Sequence, residues 1–157
     1  MYDARSAYLE TQVLTAAPQK LQLMLIDGCI RFARQAREAH AAGNAEQFSE
    51  GLDRARDIVA ELIASIRPDG LPVNHSARAV YGFIFQSLAE AQLLKNPQKI
   101  DDALRVLEEE RQTWLAVCEL DLPPPADGES FRQQEVVARD FATTAPAAVR
   151  TSFSLDA

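Results

Sequence analysis

The sequence predicts an all-α protein: an antiparallel up-down four-helix bundle with a short N-terminal docking segment and a C-terminal tail. Three observations predict it. Four stretches, near 18–41, 44–66, 75–95 and 97–118, repeat apolar residues at helical spacing. The breaks between them are short and rich in helix stop and start residues: Ala42-Gly43-Asn44, Arg67-Pro-Asp-Gly-Leu-Pro72 and Lys95-Asn-Pro97. No alternating strand pattern, hairpin dipeptide or internal repeat competes. Helices joined by short loops pack as antiparallel neighbours. The organisation read from this is a cap segment at 1–16, a bundle at 17–120 and an acidic tail at 121–157.

The first helix carries most of the information. Pro18 suits an opening turn, where its missing N–H leaves nothing unpaired. Leu21, Leu25, Gly28, Phe32, Ala36 and Ala39 then recur at three and four residues and form one face. Met24 widens that face, and a second apolar row, Leu23, Ile26 and Ile30, lies beside it. One stripe suffices to join a small core. Two rows mean either a central helix or a surface waiting for another chain. Gly43 supplies the left-handed stop.

Asn44 caps the second helix, with Gln47 three residues on as a weak capping box. Its inner stripe is Phe48, Leu52, Ala55, Val59, Leu62 and Ile66, and mixed charges cover the other side. The third helix is expected over about 75–95, capped by Asn74, with Ala77, Val80, Tyr81, Ile84, Leu88, Ala91 and Leu94 on one side. Ala79, Phe83 and Phe85 fall elsewhere on it, so it too has surplus apolar surface. Asn96 caps the fourth helix and Pro97 starts it. Its stripe is Ile100, Ala103, Leu104, Leu107, Trp114, Leu115 and Cys118, against a solvated Glu108-Glu-Glu-Arg111.

The flanking segments differ from each other. Tyr2, Ala7, Tyr8, Val13 and Leu14 make residues 1–16 more apolar than a free tail, so they are expected to dock, with a short helix near 7–12. Residues 119–157 hold seven acidic and three basic side chains and so supply −4 of the −7 net charge. Pro123-Pro-Pro-Ala-Asp-Gly128 ends regular structure, and a short helix at 130–143 would place Phe131, Val136 or Val137, and Phe141 together.

Composition narrows the function. The length, 157 residues, allows one adequate core, and 47% hydrophobic with 25% charged residues is ordinary for a globular chain. A net charge of −7 and a pI near 4.8 disfavour nucleic acid and anionic membranes as partners. No signal-peptide core and no apolar run near membrane-spanning length is present, so the expected location is cytoplasmic, without membrane insertion. Cys29 and Cys118 read as buried reduced thiols.

Catalytic and metal chemistry finds no residues to carry it. A di-metal bundle needs inward Glu-x-x-His pairs; His40 and His75 are the only histidines and neither has Glu three positions before it. Both sit near helix ends, whereas histidine phosphotransfer needs an exposed mid-helix imidazole. There is no glycine-rich phosphate loop, Cys/His metal spacing or nucleophile elbow. Asp101-Asp102 opens the fourth helix, where the dipole favours carboxylates without catalysis. The reading is therefore not an enzyme, with no cofactor and no metal.

The order of motifs is nevertheless familiar. Ala7-Tyr8, then Val13-Leu-Thr-Ala-Ala-Pro-Gln-Lys-Leu21, then Leu23-Met-Leu-Ile-Asp-Gly-Cys-Ile-Arg-Phe32 resembles the opening of the flagellar secretion chaperone family, FliS. Arg54-Ala-Arg-Asp-Ile58 with Glu61-Leu62, Val80-Tyr81 with Leu88 and Glu90-Ala91, and Leu107-Glu-Glu-Glu-Arg111 through Trp114 resemble its later blocks in order. The chain departs from the pattern at Ala17, where Ser is usual before the Pro, at Gln19-Lys20 in place of an acidic pair, and at Ile26-Asp27 before Gly28. Losing the Ser cap costs about 1 kcal/mol unless Thr15 replaces it.

The resemblance implies a cytoplasmic chaperone for type III flagellar export. Such a protein binds the disordered C-terminal region of flagellin, prevents premature polymerisation and holds it for secretion. Export-gate components are then further partners. The bundle and its surplus apolar faces agree with this but do not by themselves name flagellin. Helix-in-groove binding is the expected mode, with Leu23, Ile26, Ile30, Ala79, Phe83 and Phe85 as client contacts and Tyr8 and Leu14 as a cap that competes with the client. The alternative is a generic homodimeric helical-bundle adaptor that uses the same faces between two copies. The oligomeric expectation is accordingly a monomer or a homodimer.

Overall fold

The structure is a computed structural model, and it describes residues 4, 5, 7, 18–67 and 70–120. Four helices account for the body: α1 (Pro18–Ala41), α2 (Ala45–Ala64), α3 (Pro72–Leu94) and α4 (Pro97–Glu119). Helix α1 packs on α2 and α4, and α3 packs on the same two, which closes the four into a ring. Side-chain links fix the directions. Asp27, Arg34 and Arg37 of α1 meet Arg111, Glu108 and Asp101 of α4, ascending on one helix and descending on the other. Tyr81 and Glu90 of α3 meet Glu110 and Lys99 of α4 in the same opposed order. Both pairs are antiparallel.

The termini follow local chemistry. Gly43 has φ +73°, a conformation glycine adopts without strain, and it turns the chain out of α1. The Asn44 side chain accepts from the Gln47 N–H at 3.1 Å, and the Asn96 side chain accepts from the Gln98 N–H at 3.0 Å, so two orphan donors are satisfied. Lys95 takes the left-handed conformation, φ 52°, to end α3 before Asn96 and Pro97.

Helix α3 starts earlier than its expected Asn74 cap. Leu71 is the cap residue and Pro72 the first helical residue. Proline pushes the preceding residue into extended backbone (Leu71 ψ 139°) and its own φ is already helical. Asn74 therefore lies inside the first turn, where its N–H is given to the Leu71 carbonyl at 3.0 Å. The cap segment at 1–16 is described only at Ala4, Arg5 and Ala7, which are helical. The short helices expected near 7–12 and at 130–143, and the Thr15 cap, lie outside the described residues.

One contiguous core runs through the ring. Leu21, Leu25, Phe32, Ala36 and Ala39 of α1 meet Phe48, Leu52, Ala55, Ile58, Val59 and Leu62 of α2, Tyr81, Ile84, Leu88 and Ala91 of α3, and Ile100, Ala103 and Leu107 of α4. Two inner-stripe expectations change at the helix ends. Leu94 is 60% exposed, because the inward row of α3 runs Ile84, Leu88, Ala91 and then reaches the cap. In α4 nothing past Leu107 is fully buried; Trp114 packs half-buried on the core and Cys118 is a half-buried thiol. Cys29 is buried, and its Sγ donates to the Ala55 carbonyl at 3.5 Å; burial pushes that thiol well above its ordinary range.

Candidate functional site

Helix α3 is the place where sequence and burial disagree. Its only charged side chains are Arg78 and Glu90, yet Tyr81, Ile84, Ser87, Leu88 and Ala91 are its only buried ones. A weakly charged helix with so little buried keeps apolar surface outside. Phe83 is 48% and Phe85 36% exposed, and Val73, Leu93 and Leu94 are more open still. Scattered exposed apolar residues are normal, but large ones gathered on one helix make it the candidate surface.

That surface has two flanks. At 100° per residue, Phe83 and Phe85 point about 160° apart around α3. Ala79, Phe83, Glu90 and Leu94 share one flank, and the Glu90 carboxylate meets Lys99 Nζ at 2.9 Å, so this flank borders α4. Phe85 shares the other with Arg78, whose guanidinium donates to the Ile66 carbonyl at 3.2 Å, so it borders the end of α2. The structure therefore brings Ala79 and Phe83 together and sets Phe85 apart.

The three α1 positions expected at the same surface lie elsewhere. Leu23 is 3%, Ile26 0% and Ile30 5% exposed. Ile26 and Ile30 belong to the contiguous core; Leu23 is buried without being part of it. Tyr8 and Leu14 lie outside the described residues. Sequence reasoning missed Leu71, Val73, Leu93 and Leu120 as exposed apolar positions. The adjacent Leu93-Leu94 was a usable signal, since neighbours 100° apart cannot both take the single inward row.

A polar network joins three helices beneath this surface. Gln22 Nε2 donates to the Tyr81 hydroxyl at 3.1 Å, and that hydroxyl donates to Glu110 at 3.0 Å. Burial first, and then the Glu110 charge, push the phenol above the usual tyrosine range, so it remains a neutral donor. Gln22 was legible in principle: a glutamine on an apolar row needs a partner when buried.

The seam between α1 and α4 is charged instead. Asp27 meets Arg111 at 2.6 Å, Arg34 meets Glu108, and Arg37 grips Asp101 through two bonds at 2.5 and 3.0 Å. These pairs occupy one another, and the groove lined by the first two carries balanced charge. His40 stands beside Phe48, ring centroids 5.2 Å apart, and His75 is exposed. Among the described residues no three His, Cys, Asp or Glu side chains gather as metal ligands, and no helix is long and apolar enough to cross a membrane.

Fold and surface together define an all-helical bundle that presents an apolar helix to its surroundings. The model of the flagellar protein FliS family matches residues 1–121. The flagellar secretion chaperone FliS of Bacillus subtilis is 28% identical over 109 residues, covering 69% of this chain and 81% of that protein. Its namesake in Campylobacter jejuni is 30% identical over 115 residues, covering 73% and 90%, and that of Vibrio cholerae is 27% identical over 107 residues, covering 68% and 79%. The chain belongs to the FliS family of flagellar secretion chaperones.

Proposed function

We propose that this chain is a cytoplasmic chaperone of type III flagellar export that binds the C-terminal segment of flagellin, keeps it from premature polymerisation and holds it for secretion. The observation that carries this reading is the weakly charged, outward α3 surface in a chain of the FliS family. An unassembled filament subunit has an amphipathic terminal segment that needs its apolar face covered. Burying one large apolar side chain contributes about 1.5–3 kcal/mol before ordering costs. A few such contacts give useful affinity and still allow release. Export-gate components are the natural recipients of the loaded complex.

In this reading Ala79, Phe83 and Phe85 touch the client directly, and their two flanks suit a client that wraps around α3. Ile26 and Ile30 reach a client only if the helices part. Leu23, buried as well, does so only if the chain around it rearranges, and Tyr8 and Leu14 are the proposed competing cap. The test is binding of a flagellin C-terminal fragment to the full chain. A complex should form at micromolar concentration or below, and Phe83→Asp should weaken it at least about tenfold, equivalent to about 1.4 kcal/mol. Deleting residues 1–14 should change the affinity; an unchanged value removes the cap. No complex at micromolar concentration, together with a concentration-independent dimer in sedimentation, would establish the homodimeric adaptor instead.

A further inference from the structure

We infer that the α2-facing flank of α3 selects a client helix that carries an acidic side chain in the middle of its apolar face, with Arg78 as the residue that reads the carboxylate. The inference rests on α3 being the client surface and deepens that reading by naming the chemistry of the client.

The observation that carries it is an arginine whose charge is left open. Arg34, Arg37, Arg54, Arg56, Arg105 and Arg111 each meet a carboxylate. On α3 itself, Glu90 is matched by Lys99 at 2.9 Å. Arg78 differs. It is exposed, its guanidinium donates to the neutral Ile66 carbonyl at 3.2 Å, and among the described residues no carboxylate pairs with it. The bond to Ile66 uses one N–H of the fork and steadies the group against the end of α2. The other donors keep the planar geometry that grips a carboxylate with two bonds. A cation already held in place needs little ordering when a client arrives.

The surroundings say where that carboxylate must stand. Leu71, Arg78 and Phe85 follow at intervals of seven residues, about 20° short of two turns, so they form one row along α3. Leu71 is 53% and Phe85 36% exposed. The row reads apolar, cationic, apolar over about 21 Å of helix. An amphipathic helix laid along it covers Leu71 and Phe85 with apolar side chains, each about two turns from the residue over Arg78. That middle residue completes the arginine if it is Asp or Glu. An apolar side chain there would strip water from the guanidinium and return no bond, and a lysine would meet like charge. The chain as a whole carries −7 and so favours basic segments. A preference for an acid is therefore local to Arg78 and opposite in sign to that of the whole surface.

The test uses the full chain and two dye-labelled synthetic helical peptides in place of a client. Both carry leucines about two turns on either side of a central position. That position is Glu in one peptide and Lys in the other. Fluorescence anisotropy titrations should show the Glu peptide binding at least about tenfold more tightly. Arg78→Glu should invert the order, and its gain of affinity for the Lys peptide would show that the variant is folded. Phe85→Ser should weaken both peptides. Equal affinities for the parent chain overturn the inference. So do binding of neither peptide, a preference for Glu that survives Arg78→Glu, and unchanged affinities in Phe85→Ser. A flagellin fragment that binds the parent and Arg78→Glu chains alike would overturn it and leave the flagellin reading standing. Charge-selective peptide binding without any flagellin complex would support it and remove flagellin as the client.

Discussion

Tyr81 is where a single atom holds three helices in register. Its hydroxyl accepts from Gln22 of α1 and donates to Glu110 of α4 from a position 3% exposed. Tyr81→Phe keeps the ring and its packing but leaves the Gln22 amide, itself 5% exposed, without that acceptor. Losing a hydrogen bond of this kind costs about 0.5–1.5 kcal/mol. The variant should unfold at lower urea concentration by that amount with an unchanged slope, since no extra surface is exposed on unfolding. An unchanged midpoint would mean the amide finds another partner. The network explains why a residue that looks like an ordinary inner-stripe aromatic is a tyrosine. Helical spacing places Tyr81 on the inward side of α3; it cannot show that a glutamine 59 positions earlier completes the bond.

Two glycines in helix interiors separate a packing role from a mere weakness of the element. A Cβ on Gly51 would stand 2.9 Å from the Phe32 carbonyl oxygen and 3.0 Å from the Ala36 Cβ. Those atoms are fixed to the α1 backbone and cannot swing aside, so Gly51 sets how closely α1 and α2 approach. Gly51→Ala gains up to about 1 kcal/mol of helix propensity but forces strain of about 1–3 kcal/mol into the contact. A net loss is expected. Gly82, halfway along α3, has nothing within 4 Å of a new Cβ, and Gly82→Ala should stabilise by about 0.5–1 kcal/mol. Opposite shifts in melting temperature are the measurement, and shifts of the same sign would refute the packing argument. The elements themselves are largely legible because their signals are local: Asn44, Asn96 and Pro97 act within one turn, and Gly43 ends α1 alone. The start of α3 is misplaced from sequence because Asn74 is a good cap in isolation, while Pro72 has already fixed the backbone upstream. The second row of α1 looks spare because a row shows amphipathicity, not how many neighbours a helix has. With α2 on one side and α4 on the other, Ile26 and Ile30 are interior. On α3 the surplus is visible as Ala79, Phe83 and Phe85, but their division between two flanks needs the positions of Lys99 and Ile66.

At the scale of the whole molecule, carboxylates meeting bases across helices tie α4 to α1 and α3, which makes the stability of the bundle depend on acid in a predictable direction. Glu90 is the clearest case. Hydrogen bonds from Lys99 first and Gln86 second hold its carboxyl below the ordinary range for glutamate, about 4.3. A group with a depressed folded pKa binds fewer protons folded than unfolded. Its contribution is complete above the unfolded value and disappears as pH falls through the folded one. Lys99, Arg37 and Arg111 are shifted up by the same kind of pairing, so their contributions fade only in strong alkali and leave the acid limb to the carboxylates. Acid also relieves the self-repulsion of a chain carrying −7 down to its pI near 4.8 and brings repulsion of the opposite sign below it, an effect nearly the same in both chains compared. The comparison that isolates Glu90 is therefore Glu90→Gln against the parent chain, with urea midpoints taken at intervals from pH 7 to pH 3. At pH 7 the variant should be the less stable of the two. Below about pH 5 the parent should lose its lead, and the two curves should converge once Glu90 is protonated. A gap that stays constant down to pH 3 would show that the Lys99 contact contributes nothing as an ion pair.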